Sequence, residues 1–149
     1  MTVQTTYSLN HTNAYAGQIA NMNPLEVVSK LAEGGVIPYG STVSRGTADD
    51  QVTKGGTAII GVAARTAVAE GNSTYDAEYE QYSAVNVVRD GYVYLTISEN
   101  GADGGALNSV DATGVIGVGA ATTGETDLTG WTLEEDVTAG NVALVRVRA

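Results

Sequence analysis

The feature that most constrains the fold is the pattern from Val36 onward, where brief apolar runs alternate with Gly, Asp, Asn, Ser and Thr. Short apolar runs separated by turn-forming residues are typical of β-sandwiches and β-barrels. The chain also holds 19 Gly and only 2 Pro, and glycine supplies the backbone conformations that tight turns and bulges require. The pattern predicts a mainly β domain, a small antiparallel β-barrel or sandwich.

We expect about six to seven strands on this pattern. They are predicted at residues 36–39, 42–45, 58–65, 83–89, 92–98, 115–120 and 142–147. Asp90 and Gly91 stand between two of these runs, and Asp-Gly is a favoured two-residue hairpin turn because both central positions need positive φ. The sequence therefore predicts a hairpin at this point. In its second arm the alternation places Val93 and Leu95 toward the core and Tyr92 and Tyr94 on the opposite face.

The N-terminal part of the chain has a different character. Residues 1–23 are polar, with scattered apolar anchors, and we interpret them as an extended arm that either docks on a partner or stays disordered. Asn23 and Pro24 then form a favourable helix start, and an apolar face at helical spacing follows before Gly34. This predicts one short helix over residues 24–33, which opens a single β-rich domain over residues 24–149.

Charge and composition exclude several classes of function. The 149 residues carry a formal net charge of −10 and no Cys, so the chain repels nucleic acid and anionic membranes and has neither disulfides nor thiolate metal sites. No apolar run is long enough to span a membrane, and the N-terminus lacks signal-peptide character. We expect a soluble protein made in the cytoplasm, with one core held together by packing.

No convincing reaction centre is found in the sequence, so we expect no enzyme, no catalytic residue, no cofactor and no small-molecule substrate. His11 is the single histidine and lies in the polar arm. Loop carboxylates could in principle bind calcium, but their spacing fits no known calcium motif, and they are interpreted as solvated surface groups without a metal. The acidic run 134–136 points alternate side chains to opposite faces, and the glycine-rich stretch 114–125 lacks a phosphate-binding ending.

Aromatic residues offer an alternative function. Trp131 is the single tryptophan, and Tyr75, Tyr79 and Tyr82 lie in one polar segment. Exposed rings of this kind could form a platform for a sugar or a protein groove. The alternative hypothesis is therefore a β-sandwich carbohydrate-binding or receptor-binding module, although Trp131 is better explained as a residue that closes the core.

Several segments in order resemble the capsid cement, or decoration, proteins of tailed bacteriophages. They are the polar arm, ANMNPLEVVSKLAEGGVIPYGSTVSRG, AIIGVAARTAV, YEQYSAVNVVRDGYVYLTIS and the closing NVALVRVRA. The phrase in which a charged residue and glycine precede alternating aromatic residues, Val and Thr recurs in that family, here from Asp90 to Thr96. The resemblance spans nearly the whole chain and depends on the order of many weak features.

The resemblance implies a structural protein on the outer surface of the virion. Such a protein binds an expanded head, stabilises contacts between major capsid protein subunits and often forms a homotrimer. Within this hypothesis we expect three residues of the arm to bind the capsid, and three residues of the domain to make oligomer or partner contacts. The first set is Tyr7, Leu9 and Tyr15, and the second is Tyr92, Tyr94 and Trp131.

Overall fold

The structure is a computed structural model, and it describes residues 14–65 and 78–149. These residues form twelve strands and no helix. The strands are β1 (Gln18–Ala32), β2 (Ile37–Pro38), β3 (Thr42–Arg45), β4 (Gln51–Lys54), β5 (Ile59–Ala63), β6 (Glu78–Tyr79), β7 (Ala84–Thr96), β8 (Leu107–Val110), β9 (Ile116–Val118), β10 (Glu125–Asp127), β11 (Thr132–Leu133) and β12 (Val142–Arg148). The prediction of a mainly β protein is confirmed.

The strands are arranged in three sheets. The largest has seven strands in the order β1-β4-β3-β5-β7-β12-β11, with an additional pairing of β1 to β7. A three-stranded sheet follows the order β10-β8-β9, and β2 pairs with β6. All pairings between named strands are antiparallel except the short parallel contact of β1 with β4.

The long strand β7 is the centre of the main sheet. One of its edges pairs with β1 through nine residue pairs. The other edge pairs with β5 through two residue pairs and with β12 through seven. Its predicted alternation is confirmed, because Val93, Leu95 and Ile97 are fully buried while Tyr92 and Tyr94 are half-buried on the opposite face.

Two apolar clusters form the core, and β7 contributes to both. The first cluster contains Val88, Val93 and Leu95 of β7 with residues of β8, β9, β11 and β12. The second contains Val85 and Val87 of β7 with residues of β1 to β6. Consecutive Val87 and Val88 belong to different clusters, so the strand changes the face that it presents to the core at this point.

The predicted helix over residues 24–33 is wrong, because residues 18–32 form strand β1. The register of β1 against β7 shifts between Glu26 and Val27, and a further shift lies between Asn21 and Glu26. In the alternation of a strand, residues three apart point to opposite faces, and Leu25 packs against the first core cluster while Val28 packs against the second. The same spacing is what made the sequence look helical. Since β1 begins at Gln18, it also includes the last part of the segment interpreted as an arm.

The predicted hairpin at Asp90 and Gly91 is also wrong, because β7 continues through both residues. A type I′ turn needs positive φ at both central residues, and among the described residues Tyr82 is the single non-glycine with positive φ. Gly91 does have a φ of 151°. Its role is to allow β1 to approach, since an added Cβ would lie 3.1 Å from Leu25 Cδ1 and 3.2 Å from the Pro24 carbonyl oxygen.

The strands do not close into a barrel, so that part of the fold prediction is wrong. β1 contacts β4 over only two residue pairs, and the β10-β8-β9 ladder is a separate sheet. Strand β8, at Leu107–Val110, is one that the sequence pattern did not predict. This strand is tied to the main sheet by a buried hydrogen bond of 2.5 Å between the hydroxyls of Thr42 and Ser109.

Candidate partner-binding surface

Of the three arm residues predicted to bind a partner, Tyr7 and Leu9 lie outside the described residues, as does His11. Tyr15 is described and is 59% exposed. The Arg65 guanidinium carbon lies 4.8 Å from the centroid of its ring, within the range of a cation–π contact. The ring is therefore held in place while its outer face remains open to solvent.

Arg65 joins Tyr15 to a second pair of aromatic rings. Its guanidinium carbon lies 5.4 Å from the centroid of Tyr39, and Tyr39 meets Tyr79 edge to face with centroids 5.0 Å apart. The Tyr79 hydroxyl donates a hydrogen bond of 2.6 Å to the Ala64 carbonyl oxygen. We call Tyr15, Tyr39, Arg65 and Tyr79 the aromatic corner.

A close backbone approach fixes the aromatic corner. The Arg65 N–H donates to the Gly17 carbonyl oxygen at 2.7 Å, and Gly17 has a φ of 80°. A Cβ at Gly17 would lie 2.8 Å from Arg65 N, so only glycine allows the chain to pass here. Tyr15 is thereby anchored to the end of β5 rather than placed on an unattached segment.

The residues predicted to make oligomer contacts have different surroundings. Tyr92 lies under Arg146, whose guanidinium carbon is 4.8 Å from the ring centroid, and Arg146 Nη2 is 2.8 Å from Asp90 Oδ1. Tyr94 is half-buried on the same face of β7. Trp131 is 4% exposed and packs in the first core cluster. Its indole is thus unavailable as a surface platform.

Of the three tyrosines considered as a platform, the two that the structure describes do not share a surface. Tyr79 is 6% exposed in the core and Tyr82 is 70% exposed in a turn, whereas Tyr75 lies outside the described residues. With Trp131 buried as well, the described aromatic residues give no support to the carbohydrate-binding alternative.

Sequence reasoning missed a shallow depression that lies among five strands of the main sheet. It has a volume of about 190 Å³ and is lined by residues that include Val28, Lys30, Arg45, Asp49, Ile60 and Arg89. We call it the basic depression. These residues come from β1, β3, β5, β7 and the β3–β4 turn, and Gln51 of β4 also lines the depression. Their proximity follows from strand order and has no signature in the sequence.

The carboxylates of the acidic run are occupied by hydrogen bonds to neighbouring segments. In the acidic run 134–136, the three side chains accept hydrogen bonds of 2.7 to 2.9 Å from the Thr132 hydroxyl, the Leu144 N–H and the Asp103 N–H respectively. Within residues 14–65 and 78–149, no group of three or more His, Cys, Asp or Glu side chains is placed to hold a metal ion.

Two glutamates have a shifted pKa for the same kind of reason. Hydrogen bonds from the Thr47 side chain and backbone lower the pKa of Glu33. Hydrogen bonds from the Thr122 N–H and hydroxyl, both 2.8 Å, lower the pKa of Glu125. In each case a donor favours the charged carboxylate, and the carboxylate holds a turn in place.

Across the described ranges, no helix is long and apolar enough to cross a membrane. A family model described as structural cement protein (E217 gp24/Pam3 gp6) matches residues 3–148. No curated protein matches the chain. A chain in the solved structure of the capsid of Myoviridae phage XM1 is similar over 99% of this chain and 98% of its own length, with a TM-score of 0.70 and 19% identity.

Proposed function

This chain belongs to the family of phage structural cement proteins, and from that premise we propose that it binds the outer surface of a phage head and clamps neighbouring major capsid protein subunits. The observation that carries the proposal is the family match, which covers residues 3–148 and therefore nearly the whole chain. Its role is that of a structural capsid protein rather than a catalyst.

The charge of the chain supports a position on the outer surface. A net charge of −10 opposes contact with the phosphates of packaged DNA, because like charges repel over the Debye length of about 8 Å at physiological salt. On the outside of the head this repulsion is absent. The protein would be made in the host cytoplasm and would add to the head from there.

The aromatic corner supports a capsid contact through the N-terminal arm. Tyr15 is 59% exposed, yet Arg65 fixes its ring, so binding loses little side-chain entropy there. Tyrosine and arginine are also enriched among the residues that dominate binding energy. We propose that Tyr15 contacts the capsid together with Tyr7 and Leu9, and that the part of the arm that precedes β1 adds a strand to the edge of a capsid sheet.

A homotrimer would strengthen the same contacts. Three linked protomers that reach their sites together gain roughly a hundredfold or more in effective affinity. We propose that Tyr92 and Tyr94 face a neighbouring protomer or capsid subunit, because both are half-buried on the outer face of β7. Trp131, which is buried, would support such an interface from the core.

The experiment that tests the function uses expanded phage heads stripped of this protein. Purified protein should bind them saturably and raise the temperature at which they disrupt. Tyr15→Ala should weaken binding tenfold or more, and a tenfold change corresponds to about 1.4 kcal/mol. Tyr15→Phe keeps the ring over Arg65, so its affinity should stay within about threefold of that of the original protein. Absence of saturable binding by the unaltered protein would refute the proposal.

A further inference from the structure

The basic depression concentrates positive charge on an acidic protein. The chain has 7 Lys and Arg side chains in total, and Lys30, Arg45 and Arg89 line this one depression, with Asp49 as the single carboxylate among its lining residues. A concave site in which one sign of charge predominates focuses the field of those charges. The depression therefore attracts anionic groups although the molecule as a whole repels them.

The cations of the depression keep capacity for a ligand. Lys30 Nζ donates to the Asp49 carbonyl oxygen at 2.5 Å. Arg89 Nη1 donates to Glu26 Oε1 at 3.2 Å in a pair whose side chains are 39% and 57% exposed, and such an exposed pair contributes little. Arg89 Nε is buried without an acceptor among the described residues. Arg45 is exposed, and within residues 14–65 and 78–149 no side chain or carbonyl accepts a hydrogen bond from it.

Apolar side chains contribute to the same depression. Val28 and Ile60 line it and pack partly buried against the second core cluster. A ligand that fits must therefore bring an apolar group next to its negative charges. A short peptide with carboxylates beside an aliphatic residue meets both demands, and burial of the aliphatic group adds about 25 cal/mol per Å² of apolar surface. A nucleic acid would leave the apolar part unused and would be repelled by the rest of the chain.

We propose that the basic depression binds an acidic segment of the major capsid protein, with carboxylates on Arg45 and Arg89 and an adjacent aliphatic side chain against Val28 and Ile60. This inference rests on the proposed function and names the chemistry of the partner. Arginine suits the role, since its planar guanidinium pairs with a carboxylate through two hydrogen bonds.

Binding to stripped expanded heads tests the proposal with a matched pair of variants. Arg45→Glu and Lys54→Glu change the net charge equally, and both side chains are exposed near the ends of neighbouring strands, but Lys54 lies outside the depression. Arg45→Glu should weaken binding tenfold or more, which corresponds to about 1.4 kcal/mol or more. Lys54→Glu should keep an affinity within about twofold of that of the original protein. Equal weakening by both variants, or none by Arg45→Glu, overturns the proposal.

These outcomes are separable from failure of the function itself. If the unaltered protein does not bind the heads, the proposed function fails. If it binds and Arg45→Glu binds equally well, the function stands and the depression is not the site.

A second measurement uses the isolated full-length protein and methyl NMR. A short synthetic peptide of alternating Glu and Leu should shift the Val28 and Ile60 methyl signals saturably, and Arg45→Glu should abolish the shifts. A peptide of alternating Lys and Leu should not shift the methyl signals of Val28 and Ile60. A short single-stranded DNA that shifts them as strongly as the acidic peptide would overturn the assignment to a protein partner, as would the absence of any response to the acidic peptide.

Discussion

Tyr82 is an exposed residue held in an unfavourable backbone conformation. Its φ is 66° and its side chain is 70% exposed. The residue lies in the turn before β7, where its N–H donates to the Ala32 carbonyl oxygen at 2.8 Å. The left-handed conformation costs an L-residue with a side chain roughly 1–2 kcal/mol, and an exposed ring recovers little of that cost by packing. The turn geometry thus imposes a strain that glycine would relieve.

We expect Tyr82→Gly to raise the free energy of unfolding by about 0.5–1 kcal/mol, because relief of the strain outweighs the greater freedom of glycine in the unfolded chain. Urea denaturation followed by circular dichroism measures the change. Tyr82→Ala is the matched control, since it removes the ring but keeps the Cβ, and it should give no gain. Lower stability of the glycine variant would show that the ring makes a contact worth more than the strain.

The candidate residues show how far single positions can be predicted. The sequence predicts a partner contact at Tyr15 because it is one of the few aromatic residues in a polar arm, and this role stays a prediction. The partner of its ring, Arg65, is fifty residues away in the chain and is brought near by the hydrogen bond to Gly17. The basic depression was missed for the same reason, since Lys30, Arg45 and Arg89 come together only after five strands are placed.

At the level of the elements, β5 shows how tightly the main sheet is packed. Gly61 lies in the middle of this strand with a φ of 157°. A Cβ there would lie 2.2 Å from the Val88 carbonyl oxygen and 2.9 Å from Val87 Cγ1. The register between β3 and β5 shifts beside it, between Val43 and Ser44. The bulge at Gly61 lets β5 pass against β7 with almost no space between their backbones.

Gly61→Ala should therefore lower the free energy of unfolding by about 3 kcal/mol or more, because either β5 or β7 must move to admit the methyl group. Thermal or urea unfolding gives the value. Gly119→Ala is the control, since Gly119 also has positive φ, 102°, but has no atom within 4 Å of the added Cβ. It should cost about 1 kcal/mol from backbone strain alone. Similar losses in both variants would contradict the steric explanation.

Local patterns predicted elements where the strand was regular and failed where bulges occur. The strand at Thr42–Arg45 was predicted at its observed bounds. The alternation of Ala143, Val145 and Val147, which are fully buried, is likewise regular in β12. In β1, Asn23, Pro24 and the apolar spacing that follows them resemble the start of a helix, and the register of this strand is irregular near Glu26. Only the pairing with β7, about sixty residues away in the chain, decides in favour of a strand.

At the level of the whole molecule, two core clusters share one strand, and we expect them to unfold together. Trp131 is the single tryptophan and lies in the first cluster, so its fluorescence reports on that cluster. Val87 is fully buried in the second cluster. Val87→Ala should lower the free energy of unfolding by about 2 kcal/mol and move the fluorescence and circular dichroism transitions to the same lower urea midpoint. A fluorescence midpoint that stays in place would mean that the clusters unfold independently.

The overall class of the molecule followed from features spread along the entire chain. Turn-rich apolar runs predicted a mainly β protein, and the ordered resemblance over most of the sequence predicted the cement family that the comparison then showed. The sheet order could not be obtained in this way. It depends on contacts such as the one between Leu31 and Gln51, in which two strands meet in parallel over only two residue pairs.

The position of β7 also determines how the molecule carries tension. β7 is bonded along both edges, by β1 on one side and by β5 and β12 on the other. A force applied along β7 would load the hydrogen bonds of both edges at the same time. An edge strand that is pulled away from its sheet instead loses its hydrogen bonds one after another. A load applied along β7 would therefore act on these hydrogen bonds in shear, the direction in which a sheet resists separation most strongly.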